Sequence, residues 1–234
     1  MTSQGEAPDD DTARQLLDRL EAELPSALPS ALQFGGTDPT PGNDLYEAFL
    51  FSLVLRAARG EGCEVTYRQR SGRPPTTFRL RRSPGRLPSG DFTYAVLSLP
   101  GGSKSPLEVH TGVAVIGKSK VAHEADVLVL PEGIASRCRM LGIDPRSHQA
   151  VLVVEGKYYS SPLSLGMGRQ FLGLDVDLSA DYTIMAATVV SQSVSHLLQG
   201  RKRHYEFGVL PGRKAEHDLK ERFAIALRGY RNRR

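Results

Sequence analysis

Two apolar, β-branched segments that each meet charged residues are the feature that most constrains this fold. Residues 123–130 read HEADVLVL, and residues 151–157 read VLVVEGK. Short runs of this composition are typical of central strands of a sheet. Charged groups beside such runs are costly to bury unless they are paired or coordinate something. The sequence therefore predicts a sheet whose central strands carry a polar site at one end.

The flanking segments predict an α/β domain. A helix is expected from Asn43 or Asp44 to just before Gly60, and its nearly continuous apolar surface predicts burial. Strands are predicted in EVTYRQR, TTFRLRR, FTYAVLSL and LEVHTGVAVIG, and a crossover helix is predicted in GIASRCRMLGI between the two central strands. The later segments predict a helix in SLGMGRQFLGLDVDL, a strand in TIMAATVV, a helix in SQSVSHLLQ, a strand in YEFGVL and a helix in KAEHDLKERFAIALRGY. This order favours a mixed β-sheet flanked by helices.

The first 42 residues differ in character from the rest. Residues 12–24 predict a short amphipathic helix, and residues 25–42 are rich in Pro, Gly and Ser, as linkers are. Residues 1–24 carry seven acids against two arginines. We therefore expect an acidic N-terminal appendage over 1–42 and a main domain over 43–234.

Composition excludes several classes of protein. The only cysteines are Cys63 and Cys138, so a disulfide scaffold is excluded, and a reducing compartment is favoured. The N-terminus is acidic where a secretory signal would be basic and then apolar, and no apolar run is long enough to cross a membrane. Motifs for ATP hydrolysis, zinc deamination and serine hydrolysis are missing from the sequence. We expect a soluble, cytoplasmic protein without a membrane partner.

Positive charge is concentrated in two segments. Residues 65–86 contain seven arginines and no acid, and residues 200–234 contain eleven Lys or Arg against four acids. Clustered arginines attract polyanions and suit phosphate oxygens, so the charge favours nucleic-acid binding. Residues 65–86 are expected to form a hairpin, and the alternative to nucleic-acid binding is that this arginine-rich hairpin and the tail are simply solvated. The candidate nucleic-acid contacts are Arg68, Arg70, Arg73, Arg79, Arg81, Arg82 and Arg169.

The polar residues of the two central strands form a candidate catalytic set. Glu155 and Lys157 are two apart on one strand and should share a face, with Asp126 on the other strand. Two carboxylates make a hard oxygen site suited to Mg²⁺, and a lysine beside them can orient or deprotonate water or neutralise charge on a phosphorane. Glu124 is expected on the opposite strand face, as a salt-bridge partner. The alternative for the whole set is a structural ion pair.

This arrangement resembles the PD-(D/E)xK nuclease superfamily, whose members share a restriction-endonuclease-like fold. Asp126 matches the first acid of the motif, although Ala125 stands where the proline of the motif's name would be. Glu155, Gly156 and Lys157 match the second half. The resemblance implies that Asp126, Glu155 and the carbonyl of Gly156 bind Mg²⁺, for which Mn²⁺ can substitute, and that Lys157 is the catalytic lysine.

The resemblance extends over about residues 43–190 and implies further site residues. Members often carry a glutamate on the helix before the sheet, and Glu47 matches it as a catalytic and metal-binding residue. The alternative is a capping box between Asp44 and Glu47. Many members also carry a glutamine on the helix after the motif, and Gln170, next to Arg169, matches it. The alternative for Gln170 is an ordinary residue of a helix surface.

These features lead to one expected function and two alternatives. We expect a metal-dependent endonuclease that hydrolyses DNA, forms a homo-oligomer, and is a subunit of a bacterial defence, transposition or repair system. The alternatives are a non-catalytic nucleic-acid-binding or assembly protein on the same fold, and an RNA nuclease, because RNA presents the same phosphate chemistry. The acidic N-terminal helix is expected to bind a protein partner or to shield the basic face.

Overall fold

The structure is a computed structural model, which describes residues 11–12, 14–16, 18, 33–34, 42–75, 79–81, 85–102 and 104–233. Most of the predicted linker and Arg82 lie outside these residues. Residues 11–12, 14–16 and 18 have helical backbone, in line with the predicted N-terminal helix. Leu16 is fully buried within the largest hydrophobic core, so this segment packs on the main domain rather than standing apart from it.

A seven-stranded mixed sheet organises the described residues. The described strands are β1 Gln33–Phe34, β2 Glu64–Arg68, β3 Arg79–Leu80, β4 Tyr94–Ser98, β5 Leu107–Ile116, β6 Ala122–Pro131, β7 Leu152–Lys157, β8 Tyr182–Ala187 and β9 His204–Phe207. The strand order in the sheet is β2-β4-β5-β6-β7-β8-β9. The pairs from β2 to β7 are antiparallel, whereas β7–β8 and β8–β9 are parallel. A separate two-stranded sheet joins β1 and β3.

Within the described residues from 42 to 233, five helices cover the two faces of this sheet. The helices are α1 Gly42–Gly60, α2 Glu132–Leu141, α3 Leu165–Leu178, α4 Gln192–Gly200 and α5 Lys214–Asn232, and a 3₁₀ turn spans Ser147–Gln149. Alternate residues of β8 separate the faces, because Ile184 belongs to the core of α1 and α5 whereas Met185 packs with α3 and α4. The second face also includes α2, through Ala135 and Cys138. The α/β class and the helix-flanked mixed sheet are confirmed.

Helix α1 is the centre of the first face, as its sequence predicts. Thirteen of its nineteen residues are buried, including Phe49, Leu50 and Leu53. A helix that is apolar nearly all round must be covered on several sides. Here the sheet lies on one side and α5 on another, through Phe223 and Leu227. The N-terminal turns of α1 are thereby fixed above β6 and β7.

Two predicted connections are wrong. Residues 65–86 do not form a hairpin, because β2 pairs with β4 and β3 pairs with β1. Helix α2 is not a crossover helix, because the strands it connects, β6 and β7, are antiparallel. Local patterns predict strands well but carry little information on their partners, which depend on long-range packing. Among the described residues, no helix has the length and apolar character needed to span a membrane.

Candidate active site

A cleft of about 190 Å³ lies between the first turns of α1 and the ends of β6 and β7. It gathers carboxylates, an ammonium group and tyrosine rings in one place. Four of these positions, Glu47, Asp126, Gly156 and Lys157, are ones that the sequence singled out. The residues that line the cleft are Asn43, Tyr46, Glu47, Glu124, Asp126, Gly156, Lys157, Tyr158 and Tyr159.

Strand register brings the two halves of the predicted motif together. Val127 of β6 pairs with Val154 of β7. In an antiparallel pair, the residue before Val127 and the residue after Val154 lie at the same end. These residues are Asp126 and Glu155, so the acid of the first half and the acid of the second half lie on neighbouring strands at one end of the sheet.

A change of face in the β5–β6 pair points Asp126 toward α1. Val127 belongs to the core of α1, whereas Ala125 belongs to the core of α2. Regular alternation would keep these two residues on one face. The alternation breaks opposite Gly112, whose φ of 55° lies in the left-handed region that glycine adopts most readily. Asp126 lies at this break, and its side chain therefore reaches the cleft beside α1.

Asp126 is fixed to the neighbouring strand by a backbone hydrogen bond. The N–H of Gly156 donates to Asp126 Oδ2 at 2.6 Å, and Asp126 is only 8% exposed. Burial raises the pKa of Asp126 to about 8, and the charge of Glu155 adds to this effect. Lys157 and the Gly156 N–H oppose the shift but do not cancel it. The carboxyl group is thus held in place in surroundings where the charge of Lys157 does not compensate for burial and the neighbouring acid.

Glu155 and Lys157 form an ion pair at the edge of the cleft. Lys157 Nζ donates to Glu155 Oε1 at 2.5 Å, as expected for residues two apart on a strand. Lys157 lines the cleft, whereas Glu155 lies beside it. Burial acts to lower the pKa of Lys157, but the charges of Glu155 and Asp126 outweigh burial and raise it. Lys157 is therefore an ammonium ion at neutral pH. This protonation state suits neutralisation of negative charge on a phosphate group better than abstraction of a proton from water.

Glu47 projects from α1 into the same cleft. Its Oε2 atom is buried and has no hydrogen-bond partner among the described residues. Burial raises the pKa of Glu47 to about 10, with Asp126 and Glu124 as the next causes. Helix α1 begins at Gly42, so Asp44 lies inside the first turn rather than at the cap position. The position of Glu47 in the cleft supports the site interpretation over the capping box.

Glu124 is a site residue that the sequence reasoning missed. It lines the cleft together with Asp126, so its assignment to the opposite strand face was wrong. The signal was present in the sequence, because residues two apart on a strand share a face. Burial raises the pKa of Glu124, and the charge of Glu155 raises it further. Glu124 is thus a fourth acid in or beside the cleft, in addition to the predicted Glu47, Asp126 and Glu155.

Gly156 allows α1 to approach β7 closely. A Cβ atom at this position would lie 2.8 Å from Leu50 Cδ1 and 3.5 Å from Asp126 Oδ2. Carbon atoms in proteins do not approach so closely without displacement of one of them. The glycine in the middle of the Glu-Gly-Lys sequence therefore has a packing reason as well as the role implied by the resemblance.

Gln170 and Arg169 are not brought into the cleft. Both lie on α3, both are exposed, and neither lines the cleft. Helix α3 covers the second face of the sheet, whereas Glu47 and Asp126 meet on the α1 side. This placement favours the surface alternative for Gln170.

The predicted arginine contacts do not form one exposed strip. Arg68 pairs with Glu132 at 2.8 Å, and Arg70 Nη1 donates to the carbonyl of Pro88 at 2.6 Å. Arg81 is buried. The remaining described members, Arg73 and Arg79, are exposed, as is Arg169 on α3. Of the predicted contacts, some arginines are therefore paired or hydrogen-bonded, one is buried, and the others are exposed to solvent.

The chemistry of the cleft suits a hard cation, although its acids do not converge into a three-ligand site. Among the described residues, no group of three or more His, Cys, Asp or Glu side chains is arranged to hold a metal ion. The observation in favour of a cation is the buried, unpartnered Oε2 of Glu47 beside carboxyls whose pKa values are raised by burial and mutual repulsion. A divalent cation with oxygen ligands would compensate this charge. The donor set therefore fits Mg²⁺ or Mn²⁺.

Comparison with known proteins gives no relative from which to assign the chain. No protein-family model, no curated protein and no solved structure matches it. The functional interpretation therefore rests on the residues of the cleft themselves.

Proposed function

We propose that the protein is a metal-dependent nuclease of the PD-(D/E)xK type, with the cleft between α1, β6 and β7 as its active site. The observation that carries the proposal is the meeting of Asp126 with the Glu155–Lys157 pair at one end of two adjacent strands. A salt bridge between two strands needs one acid and one base. This cleft instead adds Glu47 and Glu124, both with raised pKa values. Burying additional carboxyl groups lowers the stability of the fold, and a purely structural ion pair does not need them.

The restriction-endonuclease-like fold is part of the same proposal. In that superfamily a helix before the sheet contributes a glutamate to the metal site, and here α1 carries Glu47 into the cleft. The motif lies on two neighbouring central strands of a mixed sheet. These features support the fold assignment, and the departures are Ala125 in place of proline and the exposed position of Gln170.

A divalent cation completes the proposed site. Asp126, Glu155, the carbonyl of Gly156 and Glu47 would hold Mg²⁺, with Mn²⁺ as a substitute, and the three carboxylates would have to draw together around the ion, because they do not converge without it. Held by these residues, such an ion would supply activation of a water molecule and stabilisation of charge on the phosphoryl oxygens. The hydrogen bond from the Gly156 N–H positions Asp126 before any ion arrives.

Lys157 would act electrostatically on the phosphate. Its ammonium group lines the cleft and is held by Glu155 Oε1 at 2.5 Å. Positive charge positioned in advance stabilises the negative charge that develops as water attacks phosphorus in line. The partner carboxylate raises the pKa of Lys157 and keeps this charge in place at neutral pH.

DNA is the proposed substrate. The chain carries a formal net charge of +4, with an acidic N-terminal segment and a more strongly basic remainder, which favours a polyanion. Cleavage of both strands needs two sites, so a homo-oligomer is part of the proposal. We further propose that the protein acts in the cytoplasm as a subunit of a bacterial defence, transposition or repair system.

A plasmid-cleavage assay tests the proposal. Supercoiled DNA is incubated with the purified protein in Mg²⁺, Mn²⁺ or EDTA, alongside Lys157→Ala and the matched control Lys118→Ala, whose lysine is exposed outside the cleft and outside both basic segments. We expect nicking or linearisation that needs the metal, is lost in Lys157→Ala and persists in Lys118→Ala. Intact plasmid in every lane calls for the same series with single-stranded RNA.

The outcomes separate the alternatives. Cleavage of RNA alone would make the protein an RNA nuclease with the same cleft. Intact DNA and RNA, together with binding of either, would favour the non-catalytic binding protein. Cleavage that Lys157→Ala leaves unchanged would remove this cleft as the active site.

A further inference from the structure

A second polar site lies on the opposite face of the sheet from the candidate active site. Its larger part is an open basin of about 650 Å³, and its smaller part is a recess of about 10 Å³. Arg70 and Arg139 line both spaces, which makes them neighbours. Arg139 belongs to α2, whereas the active-site cleft lies under α1. In the recess these two arginines are joined by Arg81, Phe92, Tyr94 and His110, among others.

Arg81 is a buried guanidinium without a carboxylate partner among the described residues. It is 8% exposed, lies 4.3 Å from the ring centroid of Phe92, and donates from Nη1 to the carbonyl of Ser89 at 3.3 Å. A Cβ atom on Gly85 would lie 2.5 Å from Arg81 Nη1, so the glycine provides the space that the guanidinium fills. Burial lowers the pKa of Arg81 to about 10. A buried guanidinium group at this position lowers the stability of the fold unless an anion lies close to it.

Arg139 is held rigidly at the mouth of the recess. Its two terminal nitrogens donate to the two oxygens of Glu108, each at 2.6 Å, and its guanidinium lies 5.1 Å from the ring centroid of Tyr94. His110 Nε2 lies 2.8 Å from Glu108 Oε2. The charge of Glu108 is thus satisfied by Arg139 and His110, which leaves Arg70 and Arg81 as cations with no ion pair among the described residues.

The remaining charges around the two spaces favour an anion. Asp91 is the one carboxylate among the described lining residues, against the guanidinium groups of Arg70 and Arg81, because the charge of Arg139 is balanced by Glu108 and only its remaining N–H groups are available. Arg70 is exposed and is held by the carbonyl of Pro88 at 2.6 Å, so its planar fork is positioned at the basin. The recess has room for about one water-sized atom, such as a single phosphoryl oxygen. The rest of a tetrahedral group would lie in the basin.

We propose that Arg70, Arg81 and Arg139 form a binding site for one phosphoryl group, separate from the proposed active site. One oxygen enters the recess toward Arg81, and the others face Arg70 and Arg139 in the basin. Guanidinium forks match phosphate oxygens in geometry as well as charge. The phosphoryl group belongs either to the end of a nucleic-acid strand or to a small phosphorylated molecule. The inference does not depend on the nuclease activity.

Titration calorimetry with inorganic phosphate tests the site on the full chain. The variants are Arg70→Met and the matched control Arg137→Met, which removes the same charge from an exposed position on α2 outside the lining. We expect wild type and the control to bind phosphate, with affinity about tenfold weaker in Arg70→Met. Arg81→Lys keeps the charge but loses the fork, and it should weaken binding by a similar factor with an unchanged circular-dichroism spectrum.

Two oligonucleotides of one sequence then identify the source of the phosphoryl group. Binding that is about tenfold tighter with a 5′-phosphate than with a 5′-hydroxyl, and that Arg70→Met removes, supports a strand end. Equal binding of both, with inorganic phosphate displaced by adenosine monophosphate, supports a small phosphorylated molecule. Absence of phosphate binding in wild type, or equal weakening by Arg70→Met and Arg137→Met, overturns the site.

Discussion

The N–H of Gly156 donates a 2.6 Å hydrogen bond to Asp126 Oδ2 and thereby links the two halves of the proposed catalytic motif. The bond joins β6 to β7 at the point where their regular pairing ends. It positions a carboxyl group whose burial raises its pKa to about 8. The other acids around Asp126 repel its charge and lower the stability of the fold. A carboxyl group whose only role was stability would be expected to face a cation rather than further acids.

Asp126→Asn should abolish metal-dependent cleavage without unfolding the protein. The amide has the same shape and can still accept the hydrogen bond from the Gly156 N–H, but it is a poor ligand for Mg²⁺. We expect the rate to fall by about a hundredfold or more, as measured by initial rates of plasmid nicking. Glu64→Gln, on an exposed part of β2, is the control. Unchanged cleavage by Asp126→Asn would contradict the proposed site.

Lys157 should be replaceable in part by another cation. In the wild type, Lys157 Nζ lies 2.5 Å from Glu155 Oε1. Lys157→Met removes the positive charge, whereas Lys157→Arg retains a positive charge with a different geometry. We expect nicking rates in the order wild type, Lys157→Arg, Lys157→Met, measured at saturating Mg²⁺. Equal rates for the two variants would argue against an electrostatic role for the ammonium group.

Gly156→Ala should destabilise the fold through one specific contact. Its methyl group would lie 2.8 Å from Leu50 Cδ1, so the buried Leu50 side chain, α1 or β7 must shift. Overpacking of this kind costs about 1–3 kcal/mol, measurable as the free energy of unfolding in urea. Valine lacks the Cδ1 atom that causes the clash. The double variant Gly156→Ala/Leu50→Val should therefore lose less unfolding free energy than the sum of the losses in the two single variants. Additive costs would show that Leu50 is not the reason for the glycine.

Leu16→Ala should lower stability although the residue lies in the N-terminal segment. Leu16 is fully buried in the core of α1 and α5. Truncating such a leucine costs about 2–5 kcal/mol. The exposed neighbour Gln15→Ala is the control. Equal unfolding free energies for the two variants would mean that the segment does not pack on the main domain.

Asp177 should confer stability that depends on pH. It accepts hydrogen bonds from the Ser119 side chain at 2.5 Å and the Ser119 N–H at 2.7 Å, and its Oδ2 lies 2.6 Å from His123 Nε2. The Ser119 side chain, followed by His123, lowers the pKa of Asp177 from 3.8 to about 2. Because the folded state holds the ionised form more tightly, this stability is complete above the unfolded value near pH 4 and is lost as the pH falls toward 2.

Urea unfolding of Asp177→Asn between pH 2 and pH 7 checks this dependence. The stability difference from wild type should be constant above about pH 5 and should shrink below pH 4. Asp218→Asn, which alters an exposed pair with Lys214, provides the control. A difference that stays constant down to pH 2 would show that ionised Asp177 contributes nothing.

Most elements could be predicted from local pattern, whereas their pairing could not. Helix α1 and strands β6 and β7 follow from long apolar runs with clear ends. The strand partners of β2 and β3 depend on contacts far along the chain, which is why the predicted hairpin was wrong. The same limit applies to α2, because a helix between two strands does not by itself fix whether they are parallel.

The sequence by itself determined that Asp126, Glu155 and Lys157 form a polar set at the strand ends. Charged residues beside buried β-branched runs are costly unless they are paired with one another or with a ligand. Spacing of two residues was enough to pair Glu155 with Lys157. Only the tertiary structure decided which face the acids use. The left-handed backbone of Gly112 on β5 breaks the alternation opposite Asp126 and directs that carboxyl group toward α1. The alternation of side chains along one strand can be predicted from its own sequence. Where the alternation is interrupted, however, the face on which a residue lies depends on the backbone of the neighbouring strand.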